Sequence, residues 1–192
     1  MPTLLLASSS PYRRELLNRL RLPFECASPD IDESRLPGET AQALVSRLAR
    51  QKAEALAGTH GAHLIIGSDQ VAVLGDQVLG KPHCFEKARE QLLAASGRSV
   101  SFLTGLALLN SASGRCQVDV VAFTVHMRRL SQAQVEHYLH AEQPYDCAGS
   151  FKAEGLGVSL FQRTEGVDAT SLVGLPLIRL VDMLLAEGVA VL

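Results

Sequence analysis

One apolar run that ends in a carboxylate limits this chain more than any other stretch. In LIIGSDQVAVLGDQVLGKP, Leu64 to Pro82, the residues Leu64, Ile65 and Ile66 are β-formers with no polar interruption. Val71, Val73 and Leu74 resume the pattern after Gly67, Ser68, Asp69 and Gln70. Such a run reads as a buried strand, and Asp69 is expected at its end. A charge there has to be paired, metal-bound or functional, because a carboxylate removed from water needs compensation. A turn aspartate that accepts bonds from its own loop would satisfy the same residues, so the run alone leaves both readings open.

Around this stretch the chain alternates between strand and helix patterns. Thr3 to Ala7 reads as a short buried strand. SSSPYRRELLNRL follows with Ser10 as N-cap, Pro11 at the first helical position and Leu16, Leu17 and Leu20 on one face. ETAQALVSRLARQKAEALA places Ala41, Leu44, Val45, Leu48, Lys52, Ala55 and Leu56 along a helical stripe, so Lys52 faces inward or sits on the rim. Beyond the Gly75-Asp76 turn, CFEKAREQLLAASG predicts a helix ending at Gly97, and SVSFLTGLALLN and QVDVVAFTVHM predict long paired strands. Ser131 and Gln134 form a capping-box pattern. The glycine-broken loop CAGSFKAEGLGVSLF leads into another strand, and LPLIRLVDMLLAEG is a closing amphipathic helix. The fold class is α/β.

The 192 residues, 47% hydrophobic and 20% charged, suit one compact domain over 1–192 that can bury a substantial core. A net charge of -2 gives no electrostatic footprint for nucleic acid or an anionic membrane, so any anionic partner must be met locally. The N-terminal apolar run is too short for a signal sequence and no later stretch reaches the length of a membrane span, from which a cytoplasmic location is expected. Cys26, Cys84, Cys116 and Cys147 are dispersed without metal-site spacing, and read as core or surface thiols.

Several polar residues stand where these elements meet. In ASSSPYRREL, the hydroxyls of Ser8, Ser9 and Ser10 and several backbone N–H groups precede a helix N-terminus that carries Arg13 and Arg14. That arrangement suits phosphate, although it lacks the glycines and the Lys-Ser/Thr ending of a Walker loop. A capped surface helix with solvated arginines uses the same residues. Taken singly, Lys52 reads as a snorkelling lysine, Lys81 as a residue after a turn, and Glu33 as a solvated loop acid.

Together they carry a resemblance. SSSPYRREL, DIDES, Lys52, GSDQV, GKP, YDCAGSFKAEG and LVGLPL, in this order, resemble the Maf family of nucleotide pyrophosphatases over nearly the whole chain. CAGSFKAEG and the Gln after Asp69 resemble the family's YceF-like branch, associated with 7-methylguanosine triphosphate; the better-known branch has Asp-Thr there and prefers thymidine or uridine triphosphate. Tyr12, in place of the broad pattern's Arg, and Ser101 with Phe102 depart from that better-known branch in the same direction.

The resemblance implies a Maf/ITPase-like mixed sheet with flanking helices, two lobes around a central cleft, and an assembly that is often a homodimer. It implies cleavage of a nucleoside triphosphate between its α and β phosphates, releasing the monophosphate and pyrophosphate. Asp69, Lys52 and Lys81 take the catalytic positions, with Asp69 as general base or metal ligand and Arg13, Lys52 and Lys81 on the phosphates. Asp69 and Glu33 are the metal positions, for Mg²⁺ or Mn²⁺, which prefer one or two carboxylates plus substrate oxygens. Ser8, Ser10, Arg13, Tyr12, Gln70 and Glu154 fall on the substrate side. There the Tyr12 ring could face the cationic 7-methylguanine, Glu154 could accept from the guanine N1–H and amine, and Gln70 could bond another edge. Alternatives of other kinds are a dTTP/UTP pyrophosphatase of the broader Maf type and a non-catalytic nucleotide-binding regulator of septum formation.

Overall fold

In the computed structural model, which describes residues 3–192, the first apolar segment is strand β1 (Thr3–Ala7). It pairs in parallel with β2 (Phe24–Ala27) on one side and β3 (His63–Leu74) on the other, with Leu4 opposite Leu64 and Leu6 opposite Ile66. Parallel neighbours need crossovers, and helices α1 (Pro11–Asn18) and α2 (Ala41–Ala57) supply them. β4 (Gln77–Leu79) then folds back antiparallel on β3 through a turn at Gly75, whose φ of 61° suits a residue without a Cβ.

The remaining elements are α3 (Phe85–Ala95), β5 (Ser99–Asn110), β6 (Cys116–Met127), α4 (Gln132–Glu142), β7 (Phe161–Gly166), α5 (Ala169–Val173) and α6 (Leu177–Ala186). One mixed seven-stranded sheet runs β2-β1-β3-β5-β6-β7, with β4 attached to β3. The mixed sheet and its helices match the expected class. β2 was not expected, and the reason is visible in its residues. It is an edge strand with Glu25 and Cys26 exposed, so it lacks the apolar signal of β1 and β3.

The described residues fall into two compact units: a first running through Asp69 with Thr104–Val121 and Thr170–Leu192, and a second of Gln70–Leu103 and Ala122–Ala169. Within the first unit, period-2 alternation sends side chains to opposite faces of the sheet. Leu4, Leu6, Leu64 and Ile66 join one buried cluster with Leu16 and Leu17 of α1 and Leu180 and Met183 of α6. Leu5, Ala7, Ile65 and Ala107 join another with Ala49 and Ala53 of α2. Both faces are therefore covered, as parallel strands require.

The buried stripe of α2 is Leu44, Val45, Leu48, Ala49, Lys52 and Ala53, whereas Ala55, expected inside, is exposed. Two glycines account for that rotation. A Cβ on Gly67 of β3 would lie 2.0 Å from the Ala49 carbonyl oxygen, and one on Gly105 of β5 would lie 2.1 Å from the Val45 carbonyl oxygen. The helix lies with its own backbone against these two bare positions, so Ala49 and Ala53 occupy the contact. Among the described residues, no helix is long and apolar enough to cross a membrane.

Candidate active site

Asp69 does not end a strand. β3 continues without a break from His63 to Leu74, so the residues expected to interrupt it, Gly67 to Gln70, lie in extended backbone. Their hydrogen-bonding groups explain why polar residues are tolerated there. Alternation turns Ser68 toward the α6 face, where its hydroxyl donates to the Gly105 carbonyl at 2.9 Å and to the Gly174 carbonyl at 3.0 Å. Asp69 turns to the α2 face, where Gly67 has allowed the helix to approach and Lys52 is waiting.

Lys52 Nζ donates to Asp69 Oδ1 at 2.8 Å, and the same ammonium stands 3.0 Å from Glu33 Oε1. Lys52 is 6% exposed and Asp69 8%, so this pair is shielded from solvent and short-range electrostatics are strong. Glu33, with a side chain 58% exposed, reaches in from the segment between β2 and α2. Removing Lys52 would take the ammonium from the buried Asp69 carboxylate, which is the costly way to break a buried pair.

Arg13 completes the group from α1. Its Nε donates to the Gly174 carbonyl at 2.7 Å, the oxygen that Ser68 also uses. Burial pulls the Arg13 guanidinium below its ordinary pKa, while Asp69 and Glu33 act in the opposite direction. It remains a cation at any working pH, partly buried beside the two carboxylates. Thr104 supports the same turn, its hydroxyl donating to the Ser171 carbonyl at 2.9 Å.

Ser8 and Ser10 are committed locally. Ser10 is the N-cap of α1, accepting from the Arg13 N–H at 3.4 Å, and the Ser8 hydroxyl accepts from the Ser10 N–H at 3.1 Å. Ser10 caps α1 as its sequence predicts, and these bonds orient the first turn that carries Tyr12 and Arg13. Tyr12 is partly buried. The other expected residues belong to the second unit: Gln70 within β3, Lys81 exposed after β4, and Glu154 exposed in the glycine-rich segment before β7.

The sequence model described as Maf-like protein matches residues 3–187. This chain belongs to the Maf family. Its relatives include a protein of Pseudomonas fluorescens (strain Pf0-1) named 7-methyl-GTP pyrophosphatase, 78% identical over 191 residues and 100% of both chains. A Pseudomonas aeruginosa PAO1 protein of the same name is 71% identical over 191 residues, again covering 100% of both. One from Alcanivorax borkumensis, also so named, is 62% identical over 98% of this chain and 95% of its own length. Among solved structures, the Staphylococcus aureus Ham1 protein matches 66% of this chain and 72% of its own with a TM-score of 0.48 and 15% identity, a likeness too faint to carry the chemistry.

The donor set of this Maf family member can be tested against a divalent metal. Among the described residues, no cluster of three or more His, Cys, Asp or Glu is arranged to hold an ion. Two carboxylates brought to one ammonium are what remains, a hard and sparse oxygen set. That fits Mg²⁺ or Mn²⁺ completed by substrate oxygens and fits a closed protein cage poorly. Sequence reasoning missed Ser68, Thr104 and the Gly174 carbonyl as supports, and Gly67 and Gly105 as the positions that admit α2. A signal for the glycines was present: each interrupts an apolar strand, which often marks close approach of another backbone.

Proposed function

We propose that this Maf family protein hydrolyses 7-methyl-GTP between its α and β phosphates, releasing 7-methyl-GMP and pyrophosphate. The observation that carries the reading is the shielded Lys52 held between Asp69 and Glu33, with Arg13 in electrostatic reach of both carboxylates. It stands in a chain 78% identical to a protein of that name. These four groups carry two positive and two negative charges, so a triphosphate needs further cations. Lys81 is one on this reading. Asp69 and Glu33 would hold Mg²⁺ or Mn²⁺, which when bound neutralises phosphate charge and acidifies water.

The chain's own groups then divide the work. Arg13 and Lys52 neutralise phosphate oxygens, and Lys81 offsets the charge that builds on the departing pyrophosphate. Asp69 either accepts the proton of the attacking water or ligates the metal. An acidic limb of the pH–rate profile that moves when Mg²⁺ is exchanged for Mn²⁺ favours the ligand role; a fixed acidic limb favours the base. Tyr12, Gln70 and Glu154 read the base. The methylated ring is cationic, and an aromatic face attracts it by roughly 0.5–2 kcal/mol more than a neutral ring.

The test is a panel of 7-methyl-GTP, GTP, dTTP and UTP with Mg²⁺ or Mn²⁺, followed by pyrophosphate detection. Equal amounts of 7-methyl-GMP and pyrophosphate are expected, and chelation stops the reaction. Orthophosphate with a diphosphate as first products rules out α–β cleavage. A preference for dTTP or UTP moves the chain to the broader Maf activity, and tight binding without turnover leaves a regulator.

A further inference from the structure

Glu33, with a side chain 58% exposed, is the exposed member of the charge cluster, and its place against Lys52 depends on how its segment is held. It lies in the segment 28–40 between β2 and α2, where residues 32–36 are exposed. What orders this segment is a polar latch anchored on α2 at Arg47, in the same helix as Lys52. Arg47 grips the Glu39 carboxylate with two parallel bonds, Nε to Oε1 at 2.7 Å and Nη2 to Oε2 at 2.8 Å. The same Nη2 donates to the Ser34 carbonyl at 3.0 Å, one residue beyond Glu33. Nη1 donates to Gln51 at 3.0 Å, which fixes the guanidinium on the helix.

Glu39 closes the loop on itself as well. Its Oε2 accepts from the Leu36 N–H at 3.0 Å, and its backbone carbonyl accepts from Arg35 Nε at 2.8 Å. Ser34 N–H donates to Asp32 Oδ1 at 2.8 Å, so Glu33 has a bonded residue on each side. The Glu39 side chain is only 8% exposed, although the loop around it is open to solvent. A planar bidentate pair of this kind fixes direction as well as distance, which a lysine at position 47 could not reproduce.

We propose that Arg47 and Glu39 are a positioning pair: they hold segment 28–40 so that the Glu33 carboxylate meets Lys52. Neither residue touches the reacting atoms, and both act through Glu33. The proposal rests on the activity argued above, since Glu33 matters only if the Lys52 cluster is the reaction centre.

The test combines a double-mutant cycle with amide hydrogen exchange on the full chain. In Arg47→Ala, the Ser34 and Leu36 amides should exchange faster while those of β1 keep their wild-type rates. kcat/KM for 7-methyl-GTP should fall about tenfold, the cost expected for losing charged hydrogen bonds that orient a group. Arg47→Lys should lie between Ala and wild type. In a Glu33→Gln background, Arg47→Ala should add less than about twofold, because residues that act through one group are not additive. Glu39→Gln breaks the same pair while leaving α2 intact, and should repeat the pattern if Arg47→Ala does not fold.

Fully additive losses, or unchanged exchange at Ser34 and Leu36, overturn the latch. So does a silent Glu33→Gln, because Arg47 then has nothing to position. A wild-type chain that releases no pyrophosphate from any of the four nucleotides overturns the activity and with it the catalytic half of the proposal. The exchange pattern separates that failure from a failure of the latch itself.

Discussion

Lys52 and Lys81 are both proposed to meet phosphate, and each belongs to a different unit and a different kind of surrounding. Lys52 is 6% exposed, paired with two carboxylates, and carried by a helix whose backbone rests on Gly67 and Gly105. Lys81 is exposed in a loop. The same contrast holds between Asp69, 8% exposed in the middle of a strand, and Glu154, exposed in an irregular segment. That segment is held by side chains of α4: the Tyr138 hydroxyl accepts from the Lys152 N–H at 3.0 Å, and Glu142 accepts from the Leu156 N–H at 2.8 Å. Burial raises the Tyr138 pKa, so the hydroxyl stays neutral.

The difference has a functional meaning. Charges that must act on a reacting bond gain from low dielectric and rigid elements, where a small displacement costs rate. Residues that choose among bases can sit on a loop tied by a few hydrogen bonds, which can change without disturbing the core. Substitutions in the first unit should therefore cost turnover, and those around Glu154 should alter substrate ratios.

The largest effect is expected at Asp69. Asp69→Asn should lower turnover at least ~10²-fold, about 2.7 kcal/mol in the barrier, while the protein stays folded and still binds nucleotide. Near-normal turnover in a folded variant would remove Asp69 from the mechanism and erase the contrast.

Gly67→Ala comes next, because its methyl meets the Ala49 backbone oxygen and no flexible side chain can yield. Overpacking of this kind costs about 1–3 kcal/mol. At this chain length that corresponds to several degrees in Tm, with a loss of activity because α2 carries Lys52. A melting curve that superposes on wild type would show that α2 does not rest on β3 as described.

A smaller and more selective change is expected at the residues proposed to read the base. Glu154→Ala should lower the 7-methyl-GTP to UTP ratio of specificity constants about tenfold, the loss of one charged hydrogen bond, with UTP turnover unchanged. Tyr12→Ala should narrow the 7-methyl-GTP to GTP ratio by a few-fold. Equal losses on every nucleotide would instead place these residues with the catalytic charges.

The smallest effect concerns pH. Arg47 lowers the Glu39 carboxyl from 4.5 to about 2. A carboxyl depressed in the folded state adds stability that is complete above its unfolded value and is lost as pH falls through the folded one. The Tm difference between wild type and Glu39→Gln should be constant from pH 8 to about 5 and shrink as pH falls from 4.5 toward about 2. A difference that grows on acidification contradicts the sign.

How much of this was legible depends on whether the signal was local. β1, the helices with their Ser10 and Ser131 caps, and the paired strands β5 and β6 follow from patterns within a few residues, and the structure contains them. Helical spacing placed Lys52 inward or on the rim, and the structure buries it. The edge strand β2 had no such pattern. Asp69 was expected at a strand end because polar residues usually stop a buried strand, and the sequence does not show partners that arrive from elsewhere. Here Ser68 finds two carbonyls and Asp69 finds an ammonium, so the strand continues.

The sequence by itself determined the elements that carry a local pattern, the Ser10 and Ser131 caps and the membership of the Maf family. Only the tertiary structure decided which charges meet. Lys52 and Asp69 come together because glycines on two strands let the backbone of α2 approach, and Glu33 joins them through a latch between Glu39 and Arg47 that spans a helix start. Neither pairing has a fixed sequence spacing. Each depends on the excluded volume of atoms that are absent or on the direction of a guanidinium, and those are properties of packed neighbours, outside the reach of any local pattern.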